Sequence, residues 1–460
     1  MKKILLQLLL VVSITDLSHS QLQTFFSAIG DYGLSGTNEL RVANFVKSVN
    51  PDFIITLGDN NYDLGEASTI DPNIGQYYHQ YIHPYTGSYG AGSAFNRFFP
   101  SMGNHDWYTA SGAAYLNYFT LPGNERYYDF VKGNVHFFVL DSDPNEPDGI
   151  DSSSVQAQWL KQKLSESSET FNIVYFHHPP YSSGPHGSDI NLQWPFRKWG
   201  ATTVLCGHDH TYERLFVDSL TYFVNGLGGH SLYSLNAPVP GSLVRYNSNY
   251  GAMFIYSFSD SIVFTFYNIA LTQIDYFTIF PAVKKLYLNS LIEGFYNQDE
   301  NAMISDTVKV LLRNFTSPYL VADSSKGYLN SDGSVLLNFS KARNATDYYI
   351  VLKHRNSIET WSNSGYQFIL NSLNYDFTGS SASAYGNNLV MKGNKYCIYS
   401  GDVNQDGLVE SFDVSSVENA VSNSLTGYLN TDLNGDEFSD AADLSIVDNN
   451  KTNSVAVIAP

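Results

Sequence analysis

At 460 residues the chain is too long for one ordinary core, so two or three domains are expected. A formal net charge of −19, with 44 acidic residues against 25 lysines and arginines, argues against a nucleic-acid backbone as partner. Two cysteines, Cys206 and Cys397, exclude a disulfide framework, and Cys206 ends a buried strand directly before a histidine motif, where a packed thiol is expected.

Met1-Lys2-Lys3, the apolar run Ile4 to Ile14 and Ser18-His19-Ser20 have the layout of a secretory signal peptide over 1–20, with cleavage near Ser20-Gln21. The run is too short to span a bilayer and no second one follows. The expectation is therefore export without a membrane helix, to a periplasm, a surface or the medium. Thr24 to Ile29 reads as a buried strand. Thr37 to Val49 reads as a helix with Thr37 as N-cap and Leu40, Ala43, Val46 and Val49 as its apolar stripe, and Phe53 to Leu57 is the next strand. The stretch from Asp63 to Pro100, rich in Gly, Tyr and Asn, reads as a loop excursion, with Phe98-Phe99 a weak strand.

Further strands are expected at Val135 to Leu140, Asn172 to Phe176 and Thr202 to Cys206. Helices are expected at Ser154 to Ser165, with Val155, Trp159 and Leu160 facing in, and near Leu192 to Trp199. Strand and helix thus alternate, as in a layered α/β fold. From Tyr222 the pattern turns to short strands, including Ala252 to Phe258, Ser261 to Tyr267 and Gln273 to Ile279, and the first domain is taken as 21–281. Residues 282–398 carry strand patterns without helices, for example Thr307 to Leu312, Val335 to Phe339 and Tyr348 to Lys353, which suits an all-β sandwich. His354-Arg355 reads there as an ordinary strand-end pair.

Residues 399–450 hold an internal repeat of period 30, followed by a tail at 451–460. Asp402, Asn404, Asp406, Leu408 and Asp413 recur as Asp432, Asn434, Asp436, Phe438 and Asp443. Side-chain oxygens at loop positions one, three, five and twelve, with a backbone carbonyl at seven, match the spacing that wraps Ca²⁺ in a twelve-residue loop.

The chemistry of the first half gathers at strand ends: Gly30-Asp31-Tyr32-Gly33, Gly58-Asp59-Asn60-Asn61-Tyr62, Gly103-Asn104-His105-Asp106, Phe176-His177-His178-Pro179 and Gly207-His208-Asp209-His210. In α/β folds ligands collect beyond the carboxyl ends of the strands. Carboxylates, an amide, a phenol and imidazoles suit hard or borderline cations, and the set reads as a two-metal site. Asp59 is the natural bridge between two cations. A phenol with a free pKa near ~10 binds as phenolate only to a strongly acidic ion, so Tyr62 argues for ferric iron, with Asp31 and His210 beside it. The second ion falls to Asn104, His177 and His208. His105 follows Asn104 directly, where a leaving oxygen would need a proton, and His186 is a second candidate. Asp106, Asp141 and Asp209 read as supporting groups rather than ligands, and Arg214 as a packing or orienting residue.

These five blocks, in this order over roughly residues 22 to 280, resemble those of the purple acid phosphatases within the calcineurin-like metallophosphoesterases. The resemblance implies a four-layer α/β/β/α metallophosphoesterase sandwich, followed by the all-β sandwich and a small helical calcium-loop module. It implies ferric iron on Asp31, Asp59, Tyr62 and His210, and divalent Fe, Zn or Mn on Asp59, Asn104, His177 and His208. His177 rather than His178 is the ligand by the family's His-x-Pro pattern, and His186 falls on the family's substrate-contacting histidine. The implied activity is acid phosphatase action on small phosphomonoesters by attack of a metal-bound hydroxide, His105 assisting the leaving group.

The repeat is similar to the dockerin type of paired calcium loop, which implies a cohesin-like or cell-surface partner. The second loop departs from that type, with Glu437 for the usual glycine at position six and Ser439 for an aliphatic residue at position eight. Two other readings stay open here. One is a phosphodiesterase or nucleotide hydrolase using the same centre. The other is a surface interaction protein in which the C-terminal modules matter.

Overall fold

The computed structural model describes residues 21–460, so the signal-peptide expectation lies outside the described residues. The chain forms two compact units, the first closing at Pro281 and the second spanning Ala282–Pro460. No helix among the described residues is long and apolar enough to cross a membrane.

In the first unit the strands are β1 (Leu22–Ile29), β2 (Phe53–Thr56), β3 (Phe98–Pro100), β4 (Tyr128–Lys132), β5 (Val135–Val139), β6 (Phe171–Tyr175), β7 (Thr203–Cys206), β8 (Tyr212–Val217), β9 (Leu220–Asn225), β10 (Ser242–Tyr246), β11 (Gly251–Phe258), β12 (Ile262–Asn268) and β13 (Gln273–Ile279). One sheet runs β13-β12-β11-β1-β2-β3 and the other β10-β8-β9-β7-β6-β5-β4. Within the first, β1, β2 and β3 are parallel; within the second, β5, β6, β7 and β9 are. Strands buried on both faces must be apolar throughout. That is why Phe53–Thr56, FIIT, and Phe171–Tyr175, FNIVY, carry almost no alternation.

The sheets pack face to face. Phe26 and Phe53 of one meet Phe137 of the other edge-on at 5.0 and 5.5 Å, and Phe223 stacks on Phe264 at 4.9 Å. Helix Thr37–Val49 covers the outer face of the first sheet, where Phe45 meets Phe254 at 5.1 Å. Helices Val155–Glu166 and Phe196–Trp199 cover the second, with Leu160, Leu164, Phe196 and Trp199 packed against Phe138, Val174 and Val204. The order of layers is α/β/β/α.

Three sequence expectations fail in detail. Leu40 is exposed and Phe45 with Val42 takes its place on the buried stripe, because the helix is rotated toward Phe254. Thr37 is the first helical residue, and the N-cap is Gly36, which has no side chain to offer. Val155 is likewise exposed, with Ser154 capping its helix by accepting from the Ala157 amide. The Asp63 to Pro100 excursion holds short turns of helix at Asp71–Gly75, Gln76–Tyr78 and His79–Tyr81.

The second unit contains a four-stranded sheet built on Asp306–Asn314 and Tyr348–His354 and a three-stranded sheet centred on Lys284–Asn289. Val308, Val310, Leu312, Ile350 and Leu352 of the first meet Leu286, Leu288, Val335 and Leu337 of the second in one apolar core, which makes a β-sandwich. Helices Ser411–Ser422 and Ala441–Thr452 follow, each entered through one of the acidic loops. Both cysteines are buried free thiols, Cys206 at the end of β7 and Cys397 in the sandwich core.

Candidate metal centre

The parallel strands β1, β2, β3, β6 and β7 release their chains on one side, and all seven ligands expected from the sequence come together there. Carboxylate oxygens of Asp31 and Asp59 and a nitrogen of His177 lie within 4.8 Å of one another. The Tyr62 phenol oxygen is 2.7 Å from Asp59 Oδ2 and 3.2 Å from both Asp31 Oδ1 and His210 Nε2. His210 Nε2 is in turn 3.3 Å from Asp31 Oδ1. On the other flank His177 Nε2 lies 3.3 Å from Asp59 Oδ2, 3.1 Å from Asn104 Oδ1 and 3.1 Å from His208 Nδ1. Asp59 therefore stands between a phenol-containing group and an imidazole-amide group.

The backbone bends sharply to reach this arrangement. Asp31, Asp59 and His208 all sit in the left-handed region, at φ of 55°, 54° and 69°. Residues held there without being glycine mark sites that the surrounding fold over-determines. Gly58 has φ +88°, and a Cβ on it would come within 2.4 Å of the His177 ring. At Gly103 the obstacle is Asp59 itself, 2.3 Å away. Only glycine lets these loops close on one another.

Asp31 and Asp59 are buried, and among the described residues no lysine or arginine pairs with either. Burial alone would raise the Asp59 carboxyl, but the His177 imidazole beside it outweighs that and holds it far below the usual range. The His177 ring, which burial would lower, is raised to about 10 by Asp59. Buried carboxylates need a compensating positive charge, supplied by a partner or a cation. Oxygen and nitrogen donors crowded within hydrogen-bond distance, with no lysine or arginine to neutralise them, fit a pair of metal ions.

Hydrogen bonds behind the ligands aim them. His177 Nδ1 donates to the Leu57 carbonyl at 2.8 Å, which turns Nε2 toward the cluster, and the His208 amide donates to Asp31 Oδ2 at 2.9 Å. His105 donates its backbone N–H to Asp59 Oδ1 at 3.0 Å and its Nδ1–H to the Asp63 carbonyl at 2.6 Å. Its Nε2 lies 4.0 Å from Asp59 Oδ2. His186 is exposed and stacks on His208 at 4.2 Å.

The acidic residues read as supports do not touch the cluster. Asp106 Oδ2 accepts from the Gly103 amide at 2.9 Å and from the Asn60 side chain at 2.8 Å, and burial followed by the Asp59 charge pushes its carboxyl up to about 6. Asp209 accepts from the His186 amide and from Ser182, anchoring the His186 loop. Asp141 accepts from Trp107 Nε1 at 2.9 Å. Arg214 pairs with Asp275, 2.7 Å away.

Sequence reasoning gave no role to three groups at the site. His178 offers a nitrogen within 4.8 Å of those of His177 and His208, held by Ser142 at 2.9 Å. Tyr233 stacks on His210 at 4.0 Å and His230 on Tyr62 at 4.0 Å. The last two follow β9, a strand parallel to β7, so a sixth strand tip was the signal to follow.

The two C-terminal loops have matching hydrogen-bond patterns. Asp402 accepts from the Asp406 and Gly407 amides, Asp406 from Leu408, and Asp413 from Val403 and Glu410. Asp432 accepts from Gly435 and Glu437, Asp436 from Phe438, and Asp443 from Leu433 and Asp440. Loop position six is left-handed in both, Gly407 at φ 93° and Glu437 at φ 68°. The second loop is tied to the sandwich. Arg355 reaches Asp432 at 3.4 Å, Asn356 donates to the Asp432 carbonyl at 2.6 Å, and Tyr428 donates to Asp306 at 2.6 Å. His354-Arg355 is a strand-end pair whose arginine extends to the loop.

Compared with known proteins, residues 12–212 match the calcineurin-like phosphoesterase family and residues 400–450 the dockerin type I domain. The chain carries both domains, and all seven residues of the cluster fall within the first match. The family implies a dinuclear metal centre and phosphoester hydrolysis; the dockerin domain implies calcium, a cohesin partner and an extracellular or cell-surface setting. Homologues are purple and tartrate-resistant acid phosphatases. The tartrate-resistant acid phosphatase type 5 of Oryctolagus cuniculus is 27% identical over 271 residues, 49% of this chain and 79% of that protein. Purple acid phosphatase 7 of Arabidopsis thaliana is 25% identical over 279 residues, 53% of this chain and 82% of that one. Among solved structures, a purple acid phosphatase from yellow lupin (Lupinus luteus) seeds is similar at a TM-score of 0.46 and 16% identity, over 57% of this chain and 54% of that one.

Proposed function

We propose that the chain is a secreted acid phosphatase hydrolysing phosphomonoesters at a ferric-divalent centre. Asp31, Asp59, Tyr62 and His210 hold the ferric ion, and Asp59, Asn104, His177 and His208 the divalent Fe, Zn or Mn. The observation that carries this reading is the position of the Tyr62 phenol, within 3.2 Å of Asp59, Asp31 and His210 together. Two ions in such a site supply water activation and neutralise the charge that accumulates on phosphorus.

The chain's own residues do the rest. His105, as the imidazolium with its Nδ1–H on the Asp63 carbonyl, gives the leaving oxygen its proton from Nε2. His186, anchored through Asp209, contacts the phosphoryl group. Residues 282–398 form the sandwich domain, and 399–450 a calcium-loop module that docks on a cohesin-like or cell-surface partner.

The test is the visible absorption spectrum of the purified protein beside Tyr62→Phe, with metal content and aryl-phosphatase activity on the same samples. A purple band lost in the variant is the expected result. A colourless, active protein loaded with zinc or manganese would remove the ferric assignment and leave a generic two-metal phosphoesterase.

A further inference from the structure

His230 lies in the glycine-rich turn after β9, Gly226-Leu-Gly-Gly-His230-Ser231. Its ring stacks on Tyr62 with centroids 4.0 Å apart and planes at 23°, while His105 approaches the same phenol ring at 4.3 Å. Tyr62 is thus flanked by two imidazoles, of which only His105 has a role in the mechanism above.

Ser231 links His210 to His230 and bears on which nitrogen of His230 carries the proton. Ser231 Oγ is 2.7 Å from His210 Nδ1 and 3.0 Å from His230 Nδ1. His210 turns Nε2 toward Tyr62 and Asp31, so as a ligand it keeps its proton on Nδ1 and donates it to Ser231. The single hydroxyl proton of Ser231 can then go to His230 Nδ1, which is the arrangement that a donor at His230 Nε2 requires. A neutral imidazole that accepts at Nδ1 carries N–H at Nε2. That nitrogen has no protein partner among the described residues and is not among their buried unpaired polar atoms, so it is accessible to solvent.

From this geometry we propose that His230 is a further substrate-contacting residue, donating its Nε2–H to a phosphoryl oxygen bound at the centre, with Ser231 as the positioning residue that sets its tautomer. The inference rests on the phosphatase reading. Its ligand class is a tetrahedral oxyanion, the phosphate of the ester or of the product.

Calorimetric titration of inorganic phosphate into the metal-loaded full chain tests it without turnover, with metal content measured on each sample. His230→Ala weakens phosphate binding by about tenfold or more, the order expected for one hydrogen bond to a charged group. His230→Asn, which keeps an N–H donor, recovers part of that loss, and Ser231→Ala loses less than His230→Ala. Unchanged phosphate affinity in a fully metallated His230→Ala protein overturns the inference alone. So does an asparagine variant no better than alanine, or an affinity loss that follows loss of metal. A wild-type chain that takes up no metal overturns the phosphatase reading and this inference with it.

Discussion

Asp306 offers the sharpest test of what ties the calcium-loop module to the sandwich. Its carboxylate accepts from His354 Nε2 at 3.0 Å, Arg355 Nε at 2.9 Å and the Tyr428 hydroxyl at 2.6 Å. Removing one member of a buried charge pair leaves the other unpaired and costs about 3–5 kcal/mol. The paired Arg355 and Asp306 side chains are 10% and 5% exposed, so Asp306→Ala belongs in that range rather than in that of a surface pair. At roughly 2–4 °C per kcal/mol for a unit of this size, the second unit melts on the order of 10 °C lower.

Acid supplies an independent check. Burial would raise the Asp306 carboxyl, but hydrogen bonds from His354, Tyr428 and Arg355 hold it well below the ordinary range. Its stabilisation is therefore complete above the unfolded value of ~3.9 and is lost as pH falls from there toward the lowered folded value. Calorimetry of the full chain between neutral and acid pH should show this acid-sensitive component in the wild type and not in Asp306→Ala. A variant that melts within about 1 kcal/mol of wild type at neutral pH would refute the network's role, because that is what an exposed pair would give.

Two further outcomes concern the loops. Glu437→Gly relieves a side chain at φ 68° and should stabilise the second unit by about 1 kcal/mol, while Gly407→Glu at φ 93° should destabilise it by a similar amount or more; melting in calcium checks both. Burial, then Asp413 and Asp406, pushes the Asp402 carboxyl up to about 6. Without calcium the stability linked to Asp402 is full below ~3.9 and lost as pH rises through about 6, so the melting point in chelator should fall across that window. Calcium supplies the missing positive charge and should raise the melting point more at pH 7 than at pH 5; equal increments would refute the assignment.

The strand tips were legible in the sequence because buried parallel strands leave apolar runs that end abruptly in polar groups, usually beside a glycine, although Asn172 to Phe176 passes straight into His177. Phe53 to Leu57 before Gly58-Asp59 and Thr202 to Cys206 before Gly207-His208 are of this kind. Tyr128–Lys132 and Ser242–Tyr246, edge strands with mixed burial, gave no such run. The buried stripe of helix Thr37–Val49 keeps the expected Ala43 and Val46 but was misjudged at Leu40, because Leu40 and Val42 are both apolar and only packing such as that of Phe45 on Phe254 decides between them. His230 escaped because one histidine in a glycine-rich turn has no partner pattern; its position follows only from the parallel pairing of β9 with β7.

The three left-handed residues of the centre are Asp31, Asp59 and His208. Aspartate and histidine are among the few side chains besides glycine and asparagine that rest in that region readily. At each position one residue thus meets two demands, a donor for the site and a backbone that tolerates the turn. Glutamate has the same carboxylate but a longer stem and less of that tolerance, so it suits these positions less on both counts. The set of side chains these positions accept is narrowed by the shape of the chain as much as by the chemistry it carries.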